Sequence, residues 1–207
     1  MQPAAFPDDI FNRLRETERT ARAELLLGIE ADIANVDRFM VRPIAAARSK
    51  GEEAFAALGS MDEGDLRASI RCETFDRIAL ECTTAVYANV GMRVRARFRT
   101  YAEAFPASER DLATAISVAG SARRTFPPPM FALERIETEG IASPAPPRDA
   151  DEIDRWLQLL HALLAHEMVD RMRAACERTL ARGHARLGTV KARALVAFKS
   201  IERGLSA

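Results

Sequence analysis

From Leu66 to Phe105 apolar residues return every three or four positions, with one interval of five: Leu66, Ile70, Phe75, Ile78, Cys82, Val86, Val90, Val94, Phe98, Tyr101 and Phe105. A strand buries every second residue, whereas a helix buries one residue in three or four. The spacing therefore predicts one long helix, over about 62–105, with a single buried stripe. At 1.5 Å per residue such a helix runs about 60 Å if straight. A stripe of that length has to be covered by other helices, so a bundle is the expected architecture.

The same period recurs on both sides. Phe11, Leu14, Ala21 and Leu25 form one stripe. Leu26, Ile29, Ile33, Val36, Met40 and Ile44 follow at spacings of three and four. A helix is expected to begin near Pro7, where Asp8 and Asp9 complement the N-terminal dipole, and to end or kink at Pro43. A short helical piece is expected over 51–58. Ser60-Met61-Asp62-Glu63 has the form of a capping box at the start of the long helix. Pro106 is expected to close that helix, and Ser108 to Asp111 to open another reaching about Ala119. Ile153, Trp156, Leu160, Leu164, Met168, Met172 and Cys176 make a further stripe after the start signal Asp149-Ala150-Asp151-Glu152. Gly183 and Gly188 read as a turn. The last helix then carries Leu187, Val190, Ala194, Phe198, Ile201 and Leu205.

The break in pattern is the stretch over about 121–149, which holds Pro127-Pro128-Pro129 and later Pro144, Pro146 and Pro147. Proline fixes φ and lacks the amide, so this stretch reads as an extended connector. Two helices alone bury too little surface to be stable. The C-terminal hairpin (150–207) is therefore expected to pack back on the N-terminal helices (1–120). The fold expected is all-α: one domain over 1–207, an elongated antiparallel bundle of about five to six helices with coiled-coil-like seams.

Charge is balanced overall, with 30 basic and 30 acidic residues, so net charge does not favour nucleic acid or membrane. Its distribution is uneven. Residues 8–37 carry −4, residues 52–81 carry −5, and residues from Arg171 onward carry +7. Met1 to Ile10 lacks the basic and apolar regions of a signal peptide. No apolar run is long enough to span a bilayer. The three cysteines, Cys72, Cys82 and Cys176, lack metal or redox spacing. Free thiols fit a reducing compartment, and the expected setting is cytoplasmic.

No catalytic constellation is legible, and neither a cofactor nor a metal is expected. His161 and His166 are five residues apart, about 140° around a helix, so they do not share a metal. His166 and Asp170 are four apart, and the carboxylate can orient the imidazole. The basic features are the better candidates for binding. Arg93, Arg95, Arg97 and Arg99 form two i,i+4 pairs, an arrangement suited to phosphates or carboxylates. Arg186, Lys191, Arg193, Lys199 and Arg203 flank the last apolar stripe, giving a basic amphipathic helix. The expected role is a non-enzymatic interaction or scaffold protein, self-associating or bound to a protein partner. Two alternatives stand beside it. One is a phosphate-directed module for nucleic acid or an anionic membrane surface. The other is a helical enzyme with an intrabundle pocket.

Overall fold

The structure is a computed structural model and describes residues 6–61, 64–118, 136 and 143–205. All regular structure among them is helical. The helices are α1 (Phe6–Ile33), α2 (Val41–Leu58), α3 (Gly64–Val118) and α4 (Ile153–Leu205), with 3₁₀ turns at Val36–Phe39 and Ala150–Glu152. The expected five to six helices are thus four among the described residues.

Each revised boundary has a physical reason. Pro43 does not end a helix. It sits in the first turn of α2, where its missing amide leaves no intrahelical bond unmade. Pro106 does not end α3 either, since its fixed φ is itself helical; passing through it sacrifices one backbone hydrogen bond. Gly91 does not interrupt α3. The C-terminal hairpin is replaced by one unbroken helix, because Gly183 is a packing position and not a turn. A Cβ built there would lie 2.2 Å from the Tyr101 hydroxyl and 2.8 Å from its ring. The glycine lets a buried tyrosine of α3 rest directly on the backbone of α4. Gly188 meets nothing within 4 Å and simply continues the helix.

The start signals fare differently from one another. Asp149 caps the turn leading into α4, its carboxylate accepting from the Glu152 amide at 3.1 Å, while Glu152 accepts from the Arg148 amide at 2.8 Å. This reciprocal pair satisfies amides that the helix leaves without partners. Ser60 instead donates its hydroxyl to the Ala57 carbonyl, at the end of α2. Asp62 and Glu63 of that expected box lie outside the described residues. So do the triple proline and most of the expected connector; residues 143–147 of it are non-helical.

The chain divides into two compact units. One comprises Met1–Ile29, Arg95–Glu134 and Ala175–Ala207; the other comprises Glu30–Val94 and Arg135–Ala174. In the first, Ile10, Phe11 and Leu14 of α1 form a core cluster with Val190, Ala194, Ala197 and Phe198 of α4. Arg97 of α3 lies with its guanidinium over Gly28 of α1, where a Cβ would approach it to 3.0 Å. In the second, Phe75 is the hub. Its ring is 5.1 Å from that of Phe55 in α2 and meets Trp156 in α4 edge-on at 5.2 Å. Ion pairs join Lys50 to Glu81 and Arg48 to Asp154 around it.

These contacts give the helix directions within the second unit. Phe55 meets Phe75 and Lys50 meets Glu81, so α2 and α3 run antiparallel. Phe75 meets Trp156 and Tyr87 meets Arg171, so α3 and α4 run parallel there. The expectation of an antiparallel bundle is corrected for that pair. Two short helices joined by a turn would have to be antiparallel; one long helix after a long connection is not so constrained.

Candidate interaction surfaces

Helical geometry splits the arginine array into two pairs with different tasks. Arg93 turns toward the end of α1, where its Nε donates to the buried Asp32 carboxylate at 3.1 Å. That pair helps to satisfy a buried charge. Arg97, one turn on, is half-buried over Gly28. Arg95 and Arg99 point the other way. Both are exposed, and neither has an acidic partner among the described residues.

The basic C-terminal segment is docked. Its apolar stripe, Val190, Ala194, Ala197 and Phe198, is covered by α1. Lys191 places its ammonium 5.5 Å from the centre of the Phe11 ring, a cation–π contact that adds to the docking. Arg186 is half-buried, while Arg193, Lys199 and Arg203 are exposed. Arg95 and Arg99 of the one set, and Arg193, Lys199 and Arg203 of the other, are exposed.

His161 sits with Nε2 3.2 Å from the Asp37 carboxylate, at the edge of the second unit. His166 lies 3.5 Å from Asp170 on the exposed side of α4. Among the described residues no group of three or more His, Cys, Asp or Glu is placed to hold a metal ion. None of their helices is long and apolar enough to cross a membrane.

Two concavities escaped the sequence reading. In the second unit, a groove of about 490 Å³ runs between α2 and α3 over Ala54, Ala57, Leu58, Met61, Ile70 and Ile78. Its rim carries Lys50 and Glu81, whose hydrogen bond and opposite charge hold the Glu81 carboxyl below the usual range. In the first unit, a cleft of about 410 Å³ lies between α1 and α4. Phe11, Leu14 and Leu187 form its apolar side, and Arg15, Glu18, His184 and Lys191 bring charge or imidazole to it. One oxygen of Glu18 is buried without a hydrogen-bond partner. These groups stand on two helices far apart in sequence, and His184 lies off the apolar stripe beside a glycine read as a turn. Periodicity carries no signal for either.

Burial also shifts individual groups. It pushes the Cys82 thiol up to about 11, so that cysteine is protonated and inert at neutral pH. Burial raises the Tyr87 and Tyr101 hydroxyls to about 12, against a smaller downward pull from Arg171 and Arg22 respectively. Cys72 is exposed.

The chain matches no protein-family model, and neither a curated protein nor a solved structure is significantly similar to it.

Proposed function

We propose that this chain is a non-enzymatic helical interaction protein that self-associates. The observation that supports it best is the partition of charge between the two compact units. The unit built from Met1–Ile29, Arg95–Glu134 and Ala175–Ala207 has 17 basic and 11 acidic residues, a net of +6. The other has 13 basic and 19 acidic residues, a net of −6. A protein whose charges cancel only in total has no net repulsion between copies. The basic unit of one copy attracts the acidic unit of another, and complementary charge raises association rate and selects orientation. Large exposed apolar side chains, among them Leu80, Met92, Leu159 and Val196, supply surface to bury on contact.

Sedimentation velocity across a range of protein and salt concentrations tests this reading. The expected result is a species above monomer mass at low and physiological salt that weakens as salt screens the exposed charges. A strict monomer at every concentration and ionic strength overturns it.

A second reading is favoured by Arg95 and Arg99, exposed guanidinium groups with no acidic partner among the described residues. Such a pair suits phosphate, on a nucleic acid or an anionic surface. Mobility shift and vesicle co-sedimentation at low salt decide it. Binding that falls steeply with salt and is lost in Arg95→Ala/Arg99→Ala supports this alternative.

A further inference from the structure

The cleft of about 410 Å³ between α1 and α4 lies wholly within the first unit. At one end of it Lys191 of α4 stands over the Phe11 ring of α1. Further along, Tyr101 is close beneath the backbone of Gly183 in α4 and near enough to Glu18 of α1 for that carboxylate to help raise its hydroxyl. The two helices therefore run antiparallel along the cleft. Glu18 is seven residues after Phe11, and His184 is seven residues before Lys191. Seven residues make about two turns and about 10 Å of rise, so each step returns to the same face of its helix. Glu18 and His184 thus stand together at the end opposite Lys191.

The two ends carry opposite charge. Lys191 and Arg15 are cationic, and neither has an ion-pair partner among the described residues. Long side chains on a helix lean toward its N-terminus, which for Arg15 is the Lys191 end. At the far end one oxygen of Glu18 is buried and receives no hydrogen bond among the described residues. Such an oxygen keeps its desolvation cost, so a ligand N–H that reaches it gains more than one that meets a solvated carboxylate. Between the ends the lining is apolar at Leu14 and Leu187 and bare backbone at Gly188, where a Cβ would meet nothing within 4 Å.

We propose that this cleft binds a small elongated zwitterion, namely a short apolar peptide with free termini. Its ammonium lies on Glu18, its carboxylate on Lys191 and Arg15, and its apolar body on Leu14, Leu187 and the backbone of Gly188. A ligand with a single charge answers only one end. A free amino acid carries both charges but on neighbouring atoms, too close to reach both ends. Three residues, fully extended, span at most about 10 Å, which matches the rise between the two ends. Concave sites of this kind combine an apolar lining with a few placed polar groups that fix orientation. This capacity is separate from self-association and does not depend on it.

Isothermal titration of the full chain with the tripeptide Ala-Leu-Ala tests the proposal, with circular dichroism to establish that each variant folds. The wild type is expected to bind the free peptide, and Gly188→Leu, which fills the middle of the cleft, is expected to abolish binding. N-acetylation of the peptide is expected to raise its Kd at least about tenfold for the wild type. In Glu18→Gln the free and acetylated peptides are expected to bind alike. C-terminal amidation is expected to weaken binding to the wild type in the same way and to make no difference in Arg15→Gln/Lys191→Gln. Matching each cap to the variant that lacks its partner isolates the two contacts, as a double-mutant cycle does. No binding of the free peptide at millimolar concentration overturns the proposal. Binding that Gly188→Leu leaves unchanged overturns the cleft as its place. Caps that cost as much in the matched variants as in the wild type overturn the assignment of the two ends.

Discussion

At Gly183 and Gly188 one residue type does two different jobs five residues apart on one helix. Gly183 is pressed against a rigid, buried tyrosine, so Gly183→Ala forces the Tyr101 ring or the helix to move. The expected cost is about 1–3 kcal/mol from overpacking, less about 1 kcal/mol returned as helix propensity. Gly188→Ala meets open space and is expected to stabilise by about 0.5–1 kcal/mol. Urea denaturation of both variants checks the contrast; equal shifts would contradict it. The two tyrosines of the chain make a second prediction at this scale. Their hydroxyls sit at about 12 in the folded protein, above the ordinary value near 10. A group raised on folding lends stability below its unfolded pKa and loses it as pH rises toward the folded one. Stability is therefore expected to fall between about pH 10 and 12, with the ultraviolet tyrosinate signal appearing late and together with unfolding. The sequence placed Tyr101 in the core stripe correctly. It carried no sign that Gly183 would be the surface beneath it, because a glycine in a helical pattern marks a turn and a close approach with the same letter.

At the level of elements, the stripes of α1, α3 and α4 were legible because burial of a helix face imposes its own period. The ends were not. Pro43, Pro106 and Gly183 each look like a stop, and the helices pass through all three or begin just before them. Local signals bias a boundary by one to a few kcal/mol, and packing along a long stripe can exceed that bias. In the second unit Phe75 joins α2, α3 and α4. Phe75→Ala is expected to cost about 3–5 kcal/mol. It should also shift the emission of Trp156, the lone tryptophan, toward the red as water reaches its ring. Unchanged emission would mean that the ring pair does not seal that core. Of the candidate site, the spacing of the arginines puts Arg93 and Arg97 on one side of α3 and Arg95 and Arg99 on another. Which pair meets Asp32 and Gly28 and which meets solvent depends on where α1 lies against α3, and no local pattern encodes that.

For the whole molecule, the expectation of one domain becomes an experiment. Trp156 reports on the acidic unit, and the buried thiol of Cys176 reports on the basic one. If the chain is one cooperative domain, tryptophan emission and Cys176 labelling, measured in a Cys72→Ser/Cys82→Ala background, give coincident denaturation midpoints. Separate midpoints would show that the two units unfold independently. The balance of charge is visible in the composition, and its drift from acidic to basic is visible along the chain. The sorting into +6 and −6 appears only once α1, α3 and α4 have each been divided between the units. By itself the sequence determined helix, amphipathic face and the absence of strand-like alternation, since these follow from a three-to-four-residue period within one segment. Tertiary structure alone decided the number of helices, their relative directions, the partners of Arg93 and Arg97, and the cleft around Glu18 and His184. Those depend on groups brought together from positions tens to over a hundred residues apart, a proximity that only the closing of helix on helix creates.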